Sequence, residues 1–224
     1  MKCEVQKYKL NYSFLKHLIF QTIKKKTPIR LFHNFYLRNI NIEGKVLDLG
    51  SGIHSSYFNF INKKNYKIYY ADKFHLKKDN FFKVDLENEI DIKPNFFDNI
   101  ILFNVLEHIE NYKRLIQETK KILKPGGKLE LFVPFMHSYH EDPIDVFRPT
   151  HFYLNKILSD EGFDVDLVLI GVGPLTVISE ILFKYLKFSI LKIPIFIIIL
   201  FFDKILSLIS KIYKNYYLGI HCSC

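Results

Sequence analysis

The sequence predicts an α/β fold in which a doubly wound, mostly parallel sheet of seven strands is covered by helices on both faces. Short, continuous apolar runs alternate with helical patterns between residues 45 and 172, as in parallel strands that are buried on both faces. Turn-forming glycines follow the first of these runs and precede the fifth. A chain of 224 residues is long enough for one such domain with an elaboration.

Residues 1–40 are predicted to form an N-terminal region of short helices, which Pro28 interrupts. The core, residues 41–174, is predicted to contain six strands, at residues 45–49, 66–71, 81–84, 99–103, 129–133 and 165–172. Helices are predicted at residues 111–123 and 150–160, and a turn at residues 125–127. Residues 215–224 are predicted to add a seventh strand, at 216–222, beside the sixth.

Residues 175–214 form a predicted apolar helical insertion before the last strand. They include ten consecutive uncharged residues, 193–202, fewer than the ~20 that a membrane-spanning helix needs. Lysines recur on both sides of this run among apolar residues at helical spacing, which is typical of an amphipathic helix lying in a membrane interface. A packed helical cap or a dimer interface is the alternative, and the sequence leaves the oligomeric state open.

The net charge of +9 is concentrated at the two ends of the chain. Residues 1–45 carry +8 and residues 175–224 carry +4, whereas residues 46–174 carry −3. Basic ends beside apolar helices favour an anionic membrane surface over nucleic acid as a partner. The three cysteines are too few for a disulfide framework, and no signal peptide is recognisable. We therefore expect a cytoplasmic protein, peripherally associated with the inner face of the membrane.

A glycine turn follows the first predicted strand and is a candidate ligand-binding loop. Gly50 and Gly52 lack a Cβ, so the backbone on either side of Ser51 can turn sharply and approach a ligand closely. A dinucleotide fingerprint would have a third glycine where Ser55 stands. Asp48, directly before the turn, suits a ligand with an ammonium group better than a pyrophosphate. A tight strand–helix turn without a ligand is the alternative.

Acidic residues end the next two predicted strands. Asp72 follows Gly52 by 20 residues, where a carboxylate can accept hydrogen bonds from two ribose hydroxyls. Asp85 ends the third strand and is followed by Leu86, so the pair is placed to meet an adenine amine and its ring. Because parallel strands end at the same edge of a sheet, these residues are expected to line one ligand site.

These motifs together resemble those of the class I S-adenosylmethionine-dependent methyltransferases, and more narrowly of the branch that acts on small molecules and lipids. The resemblance covers residues 30–174 and the last predicted strand. It is carried by the glycine turn, the two strand-end aspartates, FDNIILFNVLEHI at residues 97–109 and LKPGGKLELFVP at residues 123–134. It implies a Rossmann-like fold with S-adenosylmethionine as the cofactor.

The resemblance also implies roles for particular residues. The glycine turn would hold the methionine half of the cofactor, with Asp48 toward its ammonium group. Asp72 would bind the ribose, Asp85 would accept a hydrogen bond from the adenine amine, and Leu86 would pack on the ring. The reactive end of the cofactor would be lined by Asn104 and residues 106–108. Alternatively, each carboxylate is a solvated group at a strand end.

The loop after the fifth predicted strand is the candidate acceptor site. It carries two imidazoles, three carboxylates and one guanidinium between residues 137 and 148, a set that is costly to bury unless its members are paired. Methylation of a hydroxyl needs a base, for which histidine is suited. We predict His140 as that base, Asp142 or Asp145 as the group that orients it, and Arg148 as an anchor for an anionic group.

Two alternatives for this loop remain beside the catalytic interpretation. Asp145 and Arg148 could form a structural ion pair that shapes the loop. A metal site formed by His137, His140 and Asp142 lacks cysteine and any helical H-x-x-x-H spacing, so no metal is predicted. The pattern H-x-D-P-x-D-x-x-R-x-T also resembles a methyltransferase branch associated with cell-surface polysaccharide synthesis.

The sequence thus predicts a methyltransferase that acts at a membrane surface on a small-molecule or lipid-linked acceptor, preferably a glycan hydroxyl. Methylation of a nucleic-acid base is disfavoured, because residues 104–107 lack the Asn- or Asp-Pro-Pro-aromatic motif of such enzymes. Three alternatives remain: an RNA methyltransferase, a quinone or fatty-acid methyltransferase, and a non-catalytic protein that keeps the cofactor pocket for binding.

Overall fold

The computed structural model of the protein describes residues 2–52, 55–74, 79–141 and 144–224. The strands of this part of the chain are β1 (Lys2–Val5), β2 (Asn41–Leu49), β3 (Asn62–Asp72), β4 (Phe81–Lys83), β5 (Phe97–Phe103), β6 (Leu123–Pro134), β7 (Asp166–Val172) and β8 (Tyr217–Ser223). They form one sheet in the order β1-β7-β8-β6-β5-β2-β3-β4. Only β8 is antiparallel to its neighbours, β6 and β7. The predicted α/β, mostly parallel fold is therefore confirmed.

Helices pack on both faces of this sheet. They are α1 (Tyr12–Ile23), α2 (Pro28–Tyr36), α3 (Tyr112–Ile122), α4 (His151–Asp160), α5 (Pro174–Leu182) and α6 (Ser189–Ile209). Successive residues of a strand point to opposite faces. Leu47 and Ile100 accordingly join a core with residues of α3 and α4, whereas Val46 and Ile101 join a second core with residues of α1, α2 and α6. This alternation explains why the central strands are apolar on both sides.

The predicted count of seven strands is wrong, because β1 adds an eighth at the edge of the sheet. It lies within residues 1–40, which were predicted to be helical, and it pairs in parallel with β7. Only every second residue of β1 packs inward: Cys3 and Val5 contact the core, whereas Lys2 and Glu4 are exposed. A strand of four residues with two inward side chains is too short to stand out from a helical pattern.

The turn predicted at residues 125–127 is instead a bulge inside β6. Leu123 pairs with Phe97 of β5, and the pairing resumes with Lys128 opposite Asn99. Four residues of β6 (124–127) therefore lie opposite a single residue of β5, Asp98. Gly126 adopts a φ of +75° in this bulge, a conformation that glycine adopts without steric cost.

Two helices, α5 and α6, connect β7 to β8, and we refer to them as the helical hairpin. Asp203 of α6 caps α5, because its carboxylate accepts hydrogen bonds from the Leu175 N–H (3.1 Å) and from the N–H and hydroxyl of Thr176 (both 2.7 Å). Phe196 and Leu200 of α6 are buried in the core. Within the part of the chain that the structure describes, no helix is both long and apolar enough to cross a bilayer.

Candidate active site

The glycine turn after β2 is held in place by the end of β3. The Gly50 N–H donates to the Ala71 carbonyl oxygen (2.8 Å), and the Gly52 N–H donates to Oδ2 of Asp72 (2.8 Å). Gly50 has a φ of +74° and Gly52 a φ of +53°, so both occupy the left-handed region that favours glycine. A Cβ on Gly50 would lie 2.5 Å from Val105, whereas one on Gly52 would meet no described residue within 4 Å. Among the described residues, the turn thus leaves space beside Gly52.

Asp48 is a buried carboxylate at the start of this turn. Ser55 donates its hydroxyl proton to Oδ2 of Asp48 (2.7 Å), and Tyr57 donates to Oδ1. Burial and the neighbouring Asp48 raise the pKa of Tyr57 well above its ordinary value, so Tyr57 stays a proton donor. The hydroxyl of Ser51 is buried without a hydrogen-bond partner among the described residues, so it is available to a ligand in the turn.

The remaining predicted cofactor residues lie along the same edge of the sheet. Asp85 follows β4, Asp72 ends β3, and the glycine turn follows β2, while Asn104 directly follows β5 with a φ of +55°. Because β4, β3, β2 and β5 are adjacent in that order, these groups are met in the order predicted for adenine, ribose, methionine and methyl group. Their arrangement fits a single extended nucleoside–amino acid cofactor.

Asp72 and Asp85 differ in what surrounds their carboxylates. Asp72 accepts hydrogen bonds from the N–H groups of Gly52 and Phe74, which leaves further lone pairs for hydroxyl donors. Asp85 is paired with Lys73 at 3.1 Å, and this contact lowers the pKa of Asp85. Leu86, beside it, is buried in the core.

Arg30, on α2, was missed by the sequence analysis. Its side chain lines a cavity of about 240 Å³ together with Asn104, His137 and His140. Burial lowers the pKa of Arg30, and nearby Glu107 opposes that shift. The guanidinium makes no hydrogen bond or ion pair with any described residue. The feature of the sequence that could have indicated it is a charged residue in the first turn of the short amphipathic helix that begins at Pro28.

The loop after β6 brings three predicted residues together. Asp145 accepts two hydrogen bonds from Arg148, one of them from Nε at 2.9 Å. The resulting ion pair lowers the pKa of Asp145. Nδ1 of His140 lies 3.4 Å from Asp145 and 3.3 Å from Nη2 of Arg148. The geometry is compatible with both the orienting role and the structural ion pair. Asp142 lies outside the described residues.

Arg148 is less free to anchor an acceptor than predicted. Nε and Nη2 are occupied by Asp145, and only Nη1 is buried without a partner among the described residues. The guanidinium of Arg30 makes no hydrogen bond or ion pair with a described residue. Arg30 is therefore the stronger candidate for binding an anionic group in the cavity that it lines with Asn104 and His140.

Glu107 and His108 follow Asn104 in a short helical turn at the same edge. Glu107 is fully buried, and burial raises its pKa to about 7. Nδ1 of His108 lies 2.5 Å from the Ile144 carbonyl oxygen. The backbone carbonyl of Glu107 also accepts a hydrogen bond from the Val146 N–H (2.9 Å). These bonds tie the loop after β6 to the end of β5.

Comparisons with known proteins concern the family and the fold of the chain. A family model described as a methyltransferase domain matches residues 20–165, well over half of the chain. No curated protein shows significant sequence similarity. A SAM-dependent methyltransferase from Archaeoglobus fulgidus is 16% identical, with 95% of this chain and 99% of that chain covered and a TM-score of 0.52. Haemonchus contortus phosphoethanolamine N-methyltransferase 2, in complex with S-adenosyl-L-methionine, is also 16% identical, with 85% and 51% covered and a TM-score of 0.51.

The family match and the fold show a class I, Rossmann-like methyltransferase, as predicted. The chain belongs to the methyltransferase domain family. Its cofactor is S-adenosylmethionine, as the sequence predicted. The roles of the individual residues stay predictions.

Proposed function

We propose that this methyltransferase transfers a methyl group from S-adenosylmethionine to a hydroxyl of a small-molecule or lipid-linked glycan acceptor at a membrane surface. The observation that carries the proposal is the cavity beside Asn104, which joins the cofactor edge to His140 and Arg30. Two of its lining residues, Ile29 and His137, contact the helical hairpin. Glu180 of α5 accepts a hydrogen bond from the Ile29 N–H (2.8 Å) and contacts His137 at 3.0 Å.

In this proposal the cofactor supplies an electrophilic methyl group on its sulfonium. Asp72 binds the ribose hydroxyls, Asp85 the adenine amine and Asp48 the ammonium group. Arg30 binds the carboxylate of the methionine half, because an otherwise unpaired guanidinium beside Asn104 matches an anionic group there. These contacts would hold the cofactor along the edge of the sheet, where it would supply a methyl group to an acceptor in the cavity.

His140 takes the proton of the acceptor hydroxyl. Its ring lies in the cavity next to Asn104 and Arg30, and Asp145 lies 3.4 Å from its Nδ1. A neutral imidazole at this position accepts the proton as the oxygen attacks the methyl group. Asp145 acts as a positioning residue, since it contacts the imidazole and the backbone N–H of His140.

The charges of the helical hairpin support a membrane surface as its partner. The only two acidic residues in residues 175–214, Glu180 and Asp203, are both buried and bonded within the fold. All six lysines of this segment are at least partly exposed. The outer face of α6 exposes large apolar side chains, among them Ile190, Ile198, Phe201, Phe202 and Ile209. Apolar residues ringed by lysines match an anionic lipid interface.

Transfer of a labelled methyl group tests the catalytic part of the proposal. The protein is incubated with methyl-labelled S-adenosylmethionine and with glycolipid, fatty-acid, quinone or RNA fractions in parallel. Label in a glycolipid fraction, as an alkali-stable ether, supports it. Label in another fraction alone identifies a different acceptor class, and S-adenosylmethionine binding without any transfer points to a binding module. His140→Ala is expected to abolish most of the transfer while the protein still binds S-adenosylhomocysteine.

Vesicle sedimentation tests the membrane part. The protein is expected to bind vesicles that contain anionic phospholipid more strongly than neutral vesicles. Phe201→Asp together with Phe202→Asp should abolish this binding, because charges cannot enter the lipid interface without cost. Phe152→Asp is the control, since Phe152 is more exposed than either residue (67%, against 55% and 49%) but lies on α4. Equal binding by the double variant, the control variant and the wild type would overturn the proposed docking face.

A further inference from the structure

Glu107, His108 and His140 bring three potential metal-ligand atoms together in the candidate active site. A carboxylate oxygen and two ring nitrogens all lie within 4.8 Å of one another. Glu107 and His108 follow β5, whereas His140 lies in the loop after β6, so the pairing of β5 with β6 brings them together. Ligand atoms around a zinc-sized ion lie about 3–3.5 Å apart. Small side-chain rotations are therefore enough to surround an ion.

The hydrogen bond of His108 prepares its other ring nitrogen to bind a metal. The Ile144 carbonyl oxygen, 2.5 Å from Nδ1, can only accept, so Nδ1 carries the proton. Nε2 then presents its lone pair toward Oε1 of Glu107, 3.8 Å away. Two electron-pair donors face each other there without a hydrogen bond between them. Donation of the other ring N–H to a carbonyl oxygen is the usual arrangement of metal-binding histidines.

His140, like His108, has hydrogen-bond acceptors close to its Nδ1. Its Nδ1 lies 3.4 Å from two acceptors, the Ser138 carbonyl oxygen and a carboxylate oxygen of Asp145. Nη2 of Arg148 has two N–H groups, one of which is donated to Asp145, and it lies 3.3 Å from the same nitrogen. The tautomer with the proton on Nδ1 serves the two acceptors instead of this one donor. With the proton on Nδ1, the lone pair of His140 lies on Nε2. The rings of His140 and His108 are 5.1 Å apart between centroids and nearly perpendicular.

Glu107 supplies an independent indication that a ligand belongs here. Both of its carboxylate oxygens are buried, and neither accepts a hydrogen bond from another described residue, so that its own backbone N–H and distant guanidinium groups are what oppose the rise of its pKa. A buried carboxylate without donors requires a proton or a cation as partner. Arg30 and Arg148 stabilise its charge from a distance, and the charge of Arg148 is already balanced by Asp145. The carboxylate is thus available to a cation.

We propose that Glu107, His108 and His140 bind a divalent transition-metal ion. Two imidazoles and one carboxylate suit Zn²⁺, Co²⁺, Mn²⁺ or Fe²⁺, and three protein ligands leave a position for an acceptor oxygen. An acceptor hydroxyl bound there releases its proton to solvent water, because coordination lowers its pKa. His140 is then a ligand and no longer the proton acceptor. This role rests on the proposed function, whereas binding of the ion does not.

Titration with Co²⁺ tests the site without any turnover. Protein stripped by a chelator is titrated with Co²⁺ alone, and binding is followed by calorimetry and by the visible absorption of the ion. One Co²⁺ per chain is expected. Glu107→Gln and His108→Gln should each weaken binding at least about tenfold, since even the loss of an outer hydrogen-bonding partner costs that much. His137→Gln is the matched control, because His137 lines the same cavity but contacts Glu180.

Absence of stoichiometric Co²⁺ from the wild type, or unchanged affinity in both ligand variants, overturns the proposal. An equal loss in His137→Gln overturns it as well, because the effect is then not specific to the three ligands. Circular dichroism confirms that each variant is folded, and His108→Gln carries the test if Glu107→Gln does not fold. If the wild type binds S-adenosylhomocysteine but not Co²⁺, the metal site is refuted and the proposed function is not. Binding of Co²⁺ without S-adenosylhomocysteine instead refutes the proposed function.

Discussion

Replacement of Asp72 by alanine tests the ribose contact, on which the orientation of the cofactor depends. Asp72 uses one lone pair of each oxygen for the N–H groups of Gly52 and Phe74, so its remaining lone pairs can accept two ribose hydroxyls. A hydrogen bond to a charged group contributes about 1.5–3 kcal/mol. Because Asp72 is only partly buried, we take about 2 kcal/mol for both bonds together. This corresponds to about a 30-fold loss of affinity.

Calorimetric titration with S-adenosylmethionine and S-adenosylhomocysteine measures this loss. Asp79→Ala removes an exposed carboxylate from the same connection between β3 and β4 and serves as the control. A comparable melting temperature for both variants excludes a folding defect as the cause. If Asp72→Ala binds both ligands as tightly as Asp79→Ala does, the ribose assignment is wrong.

Three further predictions concern the packing that positions the site. Nε2 of His17 donates to the Leu31 carbonyl oxygen and Arg38 donates to Nδ1, while burial, with Arg38 adding to it, lowers the pKa of His17 to about 4. Because the unfolded histidine has a pKa of about 6.5, stability is complete above that pH and falls by about 2 kcal/mol by pH 5. Urea unfolding above about pH 6.5 and at about pH 5 should show that His17→Gln loses less stability between these conditions than the wild type does. An equal loss of stability in both proteins refutes the lowered pKa of His17. Asp203→Ala removes the cap of α5 and is expected to cost about 2 kcal/mol in the same assay, so an unchanged unfolding midpoint would contradict the capping role. Gly50→Ala should weaken S-adenosylhomocysteine binding through its φ of +74° and its contact with Val105. Adding Val105→Ala should restore part of that affinity, and no recovery would show that the contact is irrelevant.

Much of the fold could be predicted because its determinants are local in sequence. Buried parallel strands are continuously apolar, and their carboxyl ends must meet at one edge, so Asp48, Asp72 and Asp85 could be placed along that edge before the structure was known. The strand β1 could not be predicted in this way, because it is only four residues long and is stabilised by pairing with β7, which lies far away in the sequence. The bulge in β6 likewise depends on its register with β5.

The parts of the site that were missed depend on packing between distant segments. Whether the Arg30 guanidinium is paired is decided by what α2 packs against, not by the sequence around it. The same holds for Glu107, whose type and position were evident but whose carboxylate accepts no hydrogen bond from another described residue because it is buried against the loop after β6. A prediction from sequence identifies chemical groups at strand ends, whereas the three-dimensional arrangement decides which of them remain unpaired.

Direct titration of the purified wild-type protein with S-adenosylmethionine and S-adenosylhomocysteine tests the central claim most directly. The order of Asp85, Asp72, the glycine turn and Asn104 along one sheet edge predicts a single site per chain for each ligand, with competition between the two. Absence of binding by both ligands to folded protein would contradict the assignment of this edge as the cofactor site, and with it the proposed methyl transfer.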